Sequence, residues 1–297
     1  MLSRYAMRPT VVTINKIISL LKNEVFWKRP FRTLFRIASW EYFRLMNKTV
    51  DLIFDNDIKV IASCNDGAGR LLYYFDEYDK IILKLLDNYI KDDMVIVDIG
   101  SNIGFYTLFA AKRINTGKVI AFEPSPDTFK RLQNNILINN FKNIVANDYA
   151  VGKHEGIAEL TMCEDSAKCY IEKLNTTSKN HMEKVKVISL DKYISIHSIP
   201  KINYLKVDVE GYELDVLMGG IKLLRHNPPE LIQLELYNEF LARNKCTVQN
   251  VIDFINPLNY RCYKIVNDSL VNVIDKEAIR GDVFLIHKDN LHIHGLN

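Results

Sequence analysis

Residues 97–107 read VDIGSNIGFYT, a glycine-bearing turn between an apolar strand pattern and a helical pattern. Such a turn lets a nucleotide approach the backbone closely at a helix N-terminus. A dinucleotide fingerprint requires Gly-x-Gly-x-x-Gly; counted from Gly100, its second position holds Asn102 and its third a phenylalanine. The spacing Asp98, Gly100, Gly104 instead favours a nucleoside that carries an amino-acid tail and no phosphates. S-adenosylmethionine is such a ligand.

The next apolar strand ends at Glu123, 23 residues beyond Gly100. A carboxylate at that point accepts hydrogen bonds from both hydroxyls of a ribose. The same acid occurs in NAD sites, and it has a purely structural alternative as a cap of the following helix. Together with the turn it predicts an S-adenosylmethionine site. The alternatives are an NAD-linked oxidoreductase and a non-catalytic, nucleoside-binding Rossmann-like module.

A second group of charged residues lies in LKVDVEGYE, at the end of a later strand. Side chains alternate between the two faces of a strand, so Lys206, Asp208 and Glu210 share one face. Glu235 ends the following strand. Because acids beside apolar strands are costly unless they bind something, catalysis is assigned to these four residues, with one acid as base or acceptor-orienting group. Capping of the next helix is the structural alternative, and we expect it to account for Glu213.

The carboxylates Asp208, Glu210 and Glu235 would also offer an oxygen-rich Mg²⁺ site. Their spacing matches no recognised metal loop, so we predict no metal and keep a divalent cation as the alternative. The five cysteines include no C-x-x-C pair and the seven histidines are scattered. This pattern indicates neither a zinc centre nor a disulfide framework and suits a reducing compartment.

The elements that must position these residues alternate along the chain. Strands are predicted at 94–100, 118–124, 143–151, 202–209, 230–236, 261–266 and 282–287, and helices at 104–114, 126–139, 212–225 and 248–255. This alternation is typical of a doubly wound, mostly parallel α/β sheet, in which ligands bind beyond the carboxyl ends of the strands. A strand pair at 50–63 and a helix at 76–90 come before it. Residues 155–190 interrupt it, with a polar loop at 174–184, and form an inserted excursion.

Residues 1–48 carry ten basic and two acidic residues, a net charge of +8, whereas the whole chain carries +3. We therefore divide the chain into a basic, helical extension (1–48) and a domain (49–297). Pro30 separates two predicted helices, and the second has an apolar stripe of Leu34, Phe35, Ile37, Ala38, Tyr42 and Leu45. Either the helices pack on the domain with a solvated charged face, or they draw the protein to anionic lipid.

No run approaches the 18 apolar residues of a membrane span, and the first residues show no cleavage pattern of a signal peptide. We expect a cytoplasmic protein, with a peripheral position at the inner face of a membrane as the alternative suggested by the basic extension. No known nucleic-acid-binding module is visible, so no nucleic-acid partner is expected.

Four stretches, VDIGSNIGFYT, AFEPSP, YAVG and LKVDVEGYELDVLMGG, occur in this order. With them, the chain from Glu77 to Leu236 resembles the FkbM-type S-adenosylmethionine-dependent methyltransferases. The resemblance implies a class I methyltransferase, Rossmann-like fold. It also implies methyl transfer to a hydroxyl oxygen, with a sugar, a polysaccharide or a related natural product as the acceptor.

The family pattern also implies roles for individual residues. The methionine tail and ribose would lie against Gly100, Asn102 and Gly104, with Tyr106 and Thr107 close by. Glu123 would hold the ribose. Asp148 and Tyr149, at the end of the third strand, would flank the adenine together with the alanine that follows.

Overall fold

The computed structural model describes residues 24–162, 169–172, 182–273, 275 and 279–290. The helices in these ranges are α1 (Glu24–Lys28), α2 (Pro30–Leu45), α3 (Gly67–Phe75), α4 (Lys80–Tyr89), α5 (Phe105–Arg113), α6 (Pro126–Ile138), α7 (Leu190–Ile196), α8 (Glu213–Gly219), α9 (Ile221–His226), α10 (Asn238–Leu241) and α11 (Val248–Ile255). The strands are β1 (Thr49–Phe54), β2 (Ile58–Ser63), β3 (Val95–Ile99), β4 (Lys118–Phe122), β5 (Ile144–Asn147), β6 (Tyr149–Val151), β7 (Gly156–Thr161), β8 (Tyr170–Glu172), β9 (Met182–Ile188), β10 (Tyr204–Val207), β11 (Leu231–Leu236), β12 (Tyr260–Val266), β13 (Ser269–Asn272) and β14 (Gly281–His287). Short 3₁₀ helices cover Ala242–Asn244, Asn256–Leu258 and Lys288–Asn290.

Eight of the described strands form the main sheet, in the order β13-β12-β14-β11-β10-β3-β4-β5. The five strands from β11 to β5 are parallel, and β14 runs antiparallel to β11. The inner strands are apolar runs because both faces of a parallel sheet are covered by helices; Ile96, Val97 and Ile99 of β3 are all buried. Strand order reverses between β3 and β10, which places a ligand-binding crevice at their carboxyl ends. The predicted doubly wound, mostly parallel sheet is confirmed.

A smaller sheet contains four described strands in the order β6-β9-β7-β8. Three of them come from the predicted excursion at 155–190. The predicted polar loop at 174–184 lies outside the described residues up to 181, and its last residues belong to β9. The single strand predicted at 143–151 is wrong: the chain leaves the main sheet after β5 and joins the smaller sheet as β6, which pairs with β9.

Two predicted helices also differ from the structure. The helix expected at 76–90 is shorter and becomes α4, while α3 was not predicted, because two glycines weaken its helical pattern. Gly69 is required there: a Cβ at that position would lie 2.6 Å from Cβ of Ala62 on β2. The helix expected at 212–225 is two helices, α8 and α9. It breaks at Gly219 and Gly220, where a Cβ on Gly219 would lie 2.0 Å from the Gly152 carbonyl oxygen.

The helix break predicted at Pro30 is confirmed, because α2 begins at that residue. The face of α2 that packs on the domain carries Trp40, which is fully buried and donates its Nε1–H to the Cys64 carbonyl at 3.0 Å. Most of the predicted apolar stripe lies elsewhere: Leu34, Phe35, Tyr42 and Leu45 are exposed. No helix within the described ranges is long and apolar enough to cross a membrane.

Candidate active site

A cavity of about 340 Å³ opens at the carboxyl ends of β3, β4 and β10, within the usual range of small-molecule sites, roughly 300–1,000 Å³. Ten of the predicted site residues line it: Asp98, Gly100, Asn102, Tyr106, Glu123, Tyr149, Lys206, Asp208, Glu210 and Glu235. Three do not line it, namely Gly104, Thr107 and Asp148. Residues from α3, the loop after it and β8 complete the wall, and the sequence patterns did not indicate them: Gly67, Ala68, Arg70, Leu71, Tyr78, Tyr170 and Ile171.

The turn after β3 is held tightly against its neighbours. Gly100 has a φ of +81°, and a Cβ there would lie 1.8 Å from the carbonyl oxygen of Asp208, just beyond β10. Gly104, with a φ of +102°, precedes α5, and a Cβ there would lie 2.7 Å from Cδ1 of Leu132. Gly100 therefore has no room for a side chain beside the backbone carbonyl, and at Gly104 the positive φ favours glycine. The turn closes against the neighbouring elements and leaves Asn102, with a φ of +48°, in the cavity wall.

Glu123 links the turn after β3 to the loop after β4. The backbone N–H of Asn102 donates to its Oε2 at 3.0 Å, and the backbone N–H of Ser125 donates to its Oε1 at 2.9 Å. Burial raises the pKa of Glu123 to about 7, although these two donors favour the ionised form. The carboxylate thus has a fixed position with further lone pairs. Both donors lie before the first turn of α6, so the Glu123 carboxylate does not cap that helix.

Asp98 lies in the wall beneath this turn and is buried. Thr107, itself fully buried on α5, donates its hydroxyl to Asp98 Oδ2 at 2.6 Å. Oδ1 is also buried and accepts no hydrogen bond from any described residue. A buried acceptor in a cavity wall is costly unless a ligand donates to it. Asp98 and Glu123 together therefore suit a ligand with sugar hydroxyls and an ammonium group, as S-adenosylmethionine has. Thr107 is a positioning residue for Asp98.

Lys206 and Asp208, at the end of the neighbouring strand β10, form an ion pair with 2.8 Å between Nζ and Oδ2, and Lys206 pairs with Asp98 in the register of β10 and β3. Lys206 is buried, and its Nζ lies 4.5 Å above the ring of Tyr106. The Tyr106 hydroxyl donates to Asp79 Oδ2 at 2.9 Å. Burial alone would lower the pKa of Lys206, but the carboxylates of Asp208 and Asp98 outweigh it and raise this pKa above its usual value. Lys206 therefore stays cationic and holds Asp208 in place.

Glu210 is held by Arg243 of the 3₁₀ helix at 242–244. Arg243 Nη1 lies 3.2 Å from Glu210 Oε2 and also donates to the Glu210 carbonyl at 3.1 Å. The Arg243 guanidinium lies 4.3 Å from the ring centroid of Tyr170 on β8, which links the smaller sheet to the site. Glu210 has a φ of +54°, an uncommon conformation for a non-glycine residue that is found at functional sites. Arg243 was missed because no local pattern relates it to Glu210.

Glu235 on β11 lies opposite Asp282 of β14 in the strand register. Burial, reinforced by Asp208, Glu210 and Asp282, raises the pKa of Glu235 well above its usual range. This shift favours the protonated form of Glu235, which can donate a hydrogen bond. Burial also raises the pKa of Asp282 to about 6. Sequence reasoning missed Asp282, because it stands at the beginning of an antiparallel strand.

The structure does not assemble the alternative Mg²⁺ site. Among residues 24–290, apart from the ranges left undescribed, no three His, Cys, Asp or Glu side chains are arranged to hold a metal ion. Asp208 and Glu210 face cations of the protein instead. Glu213 stands in the first turn of α8, as expected, and its Oε1 also accepts the N–H groups of Gly211 at 3.0 Å and Val209 at 3.3 Å, which fixes the loop before that helix.

The two residues predicted beside the adenine face different directions. Tyr149 lines the cavity. Asp148 lies in the break between β5 and β6, with its side chain half-exposed and its Oδ2 3.9 Å from Nζ of Lys186. This position puts its carboxylate outside the cavity wall, so of the two only Tyr149 is placed to flank a bound base.

The strand order, with one antiparallel strand inserted beside β11, and the crevice at the switch point define a class I, Rossmann-like methyltransferase fold. Residues 98–262 match the model of the methyltransferase FkbM domain, which is more than half of the chain. The chain belongs to this family, as the sequence motifs predicted.

Individual relatives extend the comparison. The chain is 32% identical over 146 residues to Methyltransferase 1 of Beauveria bassiana, covering 43% of this chain and 59% of the relative. It is 34% identical over 147 residues to the hexuronic acid methyltransferase AglP of Haloferax volcanii, covering 48% and 57%. The chain thus spans less than three fifths of the length of these relatives. It is also similar to an O-methyltransferase from Bacillus cereus solved in complex with SAH, at 12% identity and a TM-score of 0.42, covering 70% of this chain and 80% of the other.

Proposed function

We propose that this chain transfers the methyl group of S-adenosylmethionine to a hydroxyl oxygen of a sugar, a polysaccharide or a related small molecule. The observation that carries the proposal is the pair of acceptors on one side of the cavity. Glu123 is fixed by two backbone N–H groups, and Asp98 has a buried oxygen that no described residue satisfies. These acceptors suit ribose hydroxyls and an ammonium group.

S-adenosylmethionine supplies a methyl group on a sulfonium, which is displaced in line by the acceptor oxygen. The protein must then align that oxygen and accept its proton. Asp208 is the best-placed base: it is part-exposed to the cavity and held by the Lys206 ammonium at 2.8 Å. Glu235, in the protonated form that its raised pKa favours, donates a hydrogen bond that orients the acceptor, and the Glu210–Arg243 pair forms the adjoining wall.

The acidic lining supports an uncharged hydroxyl as the acceptor group. Asp98, Glu123, Asp208, Glu210 and Glu235 all line the cavity, whereas its basic lining residues are Arg70 and Lys206. At the reacting position, an uncharged hydroxyl avoids the repulsion that the ionised members of this set would exert on a carboxylate. The saccharide class is supported by the Haloferax volcanii relative, which is named a hexuronic acid methyltransferase.

The rival function, NAD-linked oxidation, is disfavoured by the glycine spacing and by the family match. Calorimetric titration of the whole protein with S-adenosylhomocysteine and, separately, with NADH tests the choice. We expect binding of S-adenosylhomocysteine and none of NADH; the reverse result would overturn the proposal. The acceptor class is tested by incubation with methyl-labelled S-adenosylmethionine and matched hexosides and hexuronosides. We expect an alkali-stable methyl ether, and a product formed only as an alkali-labile carboxyl ester would contradict transfer to a hydroxyl.

A further inference from the structure

Helix α2 has an outward stripe of large apolar side chains, comprising Phe31, Leu34, Phe35, Tyr42 and Leu45. Phe31 is 87% exposed and Phe35 is 72% exposed, and the other three are also exposed. Spacings of three, four and seven residues place all five on one side of a helix. Monomeric soluble proteins rarely expose contiguous apolar surface of this kind unless it contacts a partner or a membrane.

The stripe cannot turn inward, because the opposite face of α2 is fixed to the domain. Trp40 is fully buried there and hydrogen-bonds the Cys64 carbonyl. Arg36 donates to the Tyr73 carbonyl at 2.8 Å and pairs with Asp76 at 2.5 Å, so it ties α2 to the end of α3. The outward direction of the stripe is therefore a property of the folded domain.

The charges around the stripe are predominantly positive. Residues 24–48 contain six basic and two acidic residues, a net charge of +4. The exposed basic side chains are Lys28, Arg29, Arg32, Arg44 and Lys48. The nearby carboxylates are compensated, since Glu41 lies 2.7 Å from Arg44 and Asp76 lies 2.8 Å from Arg32. A surface that combines aromatic side chains with a net positive charge complements the headgroup region of an anionic bilayer.

We propose that α2 is an interfacial helix that docks the protein on anionic membranes, with the outward stripe inserted among the lipid headgroups. A second copy of the chain is the less suitable occupant. In a two-fold contact the same basic residues would face each other, and like charges repel. Nothing in the docking step requires the cofactor or the acceptor.

Docking would also bring the active-site cavity close to the lipid. Helix α3 packs against α2 on the side facing the domain. Its residues Gly67, Ala68, Arg70 and Leu71 line that cavity. If the proposed function holds, this placement suits an acceptor whose sugar is held at a membrane surface. The proposal that α2 binds membranes does not depend on this proposed acceptor.

Vesicle co-sedimentation of the full chain tests the proposal. We expect binding to vesicles of phosphatidylcholine with phosphatidylglycerol, weaker binding to phosphatidylcholine alone, and release in high salt because screening weakens the attraction. Phe31→Ser together with Phe35→Ser should weaken binding to the anionic vesicles by about tenfold or more, since two aromatic side chains no longer insert. An unchanged melting temperature establishes that this variant is folded.

The matched control is Leu137→Ser with Ile157→Ser, two apolar side chains that are 72% and 64% exposed outside α2. This variant should bind the vesicles as the unmodified chain does. Three results would overturn the proposal: no binding to anionic vesicles, an equal loss in both double variants, or a dimer in light scattering that only the Phe31/Phe35 variant dissociates. The last result would assign the stripe to a second copy of the chain.

Discussion

The two sides of the cavity hold their acids in different ways. On the β3–β4 side, Glu123 is fixed by backbone N–H groups that are close to it in sequence or in the adjacent turn. On the β10–β11 side, Asp208 and Glu210 face the cations of Lys206 and Arg243, and burial and neighbouring acids raise the pKa of Glu235. The first arrangement suits binding of a constant ligand, whereas the second can hold and move a proton.

The largest effect is expected on the proton-handling side. Asp208→Asn removes the proposed base, and loss of such a group lowers turnover by about 10²–10⁴-fold. The affinity for S-adenosylhomocysteine should stay within about threefold, because Asn keeps the size of the side chain. Methyl transfer and calorimetric titration measure the two quantities on the same preparation. If turnover falls only in proportion to the affinity for the cofactor, Asp208 contributes to cofactor binding and not to proton transfer. That result would contradict the contrast between the two sides.

A second prediction concerns stability and Glu213, which is buried and fixes the loop before α8. Burial raises its pKa from 4.5 to about 7. The folded state therefore keeps a proton that the unfolded chain releases, so the free energy of unfolding falls as pH rises through this window. In the Glu213→Gln variant, the free energy of unfolding should therefore decrease with pH by up to about 3 kcal/mol less than in the unmodified chain. Urea unfolding at pH 5 and pH 8 measures it.

The control for this experiment is Asp253→Asn, which changes an exposed carboxylate on α11. It should leave the pH dependence of unfolding as it is in the unmodified chain. A Glu213→Gln variant with the same pH dependence as the parent would show that this carboxyl group ionises normally in the folded protein.

The cofactor side should show its own pH dependence. The pKa of Glu123 is about 7 in the free protein because of burial, and the ionised form is the better acceptor for two hydroxyl groups. The affinity for S-adenosylhomocysteine should therefore rise by roughly tenfold between pH 6 and pH 8. Titrations across this range test it, with Glu123→Gln as the variant in which the dependence disappears. An affinity that falls over this range would contradict an ionised Glu123 in the complex.

The smallest effect is expected for Glu210. Glu210→Gln keeps an oxygen that accepts the hydrogen bond of Arg243 but removes the charge, so turnover should fall only about fivefold. A loss as large as that of Asp208→Asn would make Glu210 the base. Measuring both variants with the same acceptor therefore ranks the two carboxylates directly.

The cofactor side was largely predictable from the sequence because its determinants are local. The spacing of Asp98 and Gly100, and the acid that ends the next strand, follow from the alternation of apolar strands and turns. What the sequence did not reveal was the reason for the glycines. Gly100 is required by the close approach of the Asp208 carbonyl, which comes from a strand far along the chain.

The other side depends on residues that meet only in the folded protein. Strand alternation reaches only Lys206, because β10 ends at Val207; Asp208 and Glu210 follow the strand and line the same cavity wall. It could not pair Glu210 with Arg243 or place Asp282 opposite Glu235. The apolar pattern of α2 likewise indicated a helix but not its orientation, because Trp40 and Phe43 pack on the domain whereas Phe31, Phe35 and Tyr42 are exposed.

Calorimetric titration with S-adenosylhomocysteine of three proteins, the unmodified chain, Glu123→Gln and Asp127→Asn, tests the central claim most directly. Asp127 is exposed on the first turn of α6, four residues from Glu123. We predict that Glu123→Gln weakens binding by about 10- to 100-fold, the effect of losing charge-assisted hydrogen bonds, and that Asp127→Asn binds as the parent does. Equal affinities for all three proteins would contradict an adenosyl site at the end of β4.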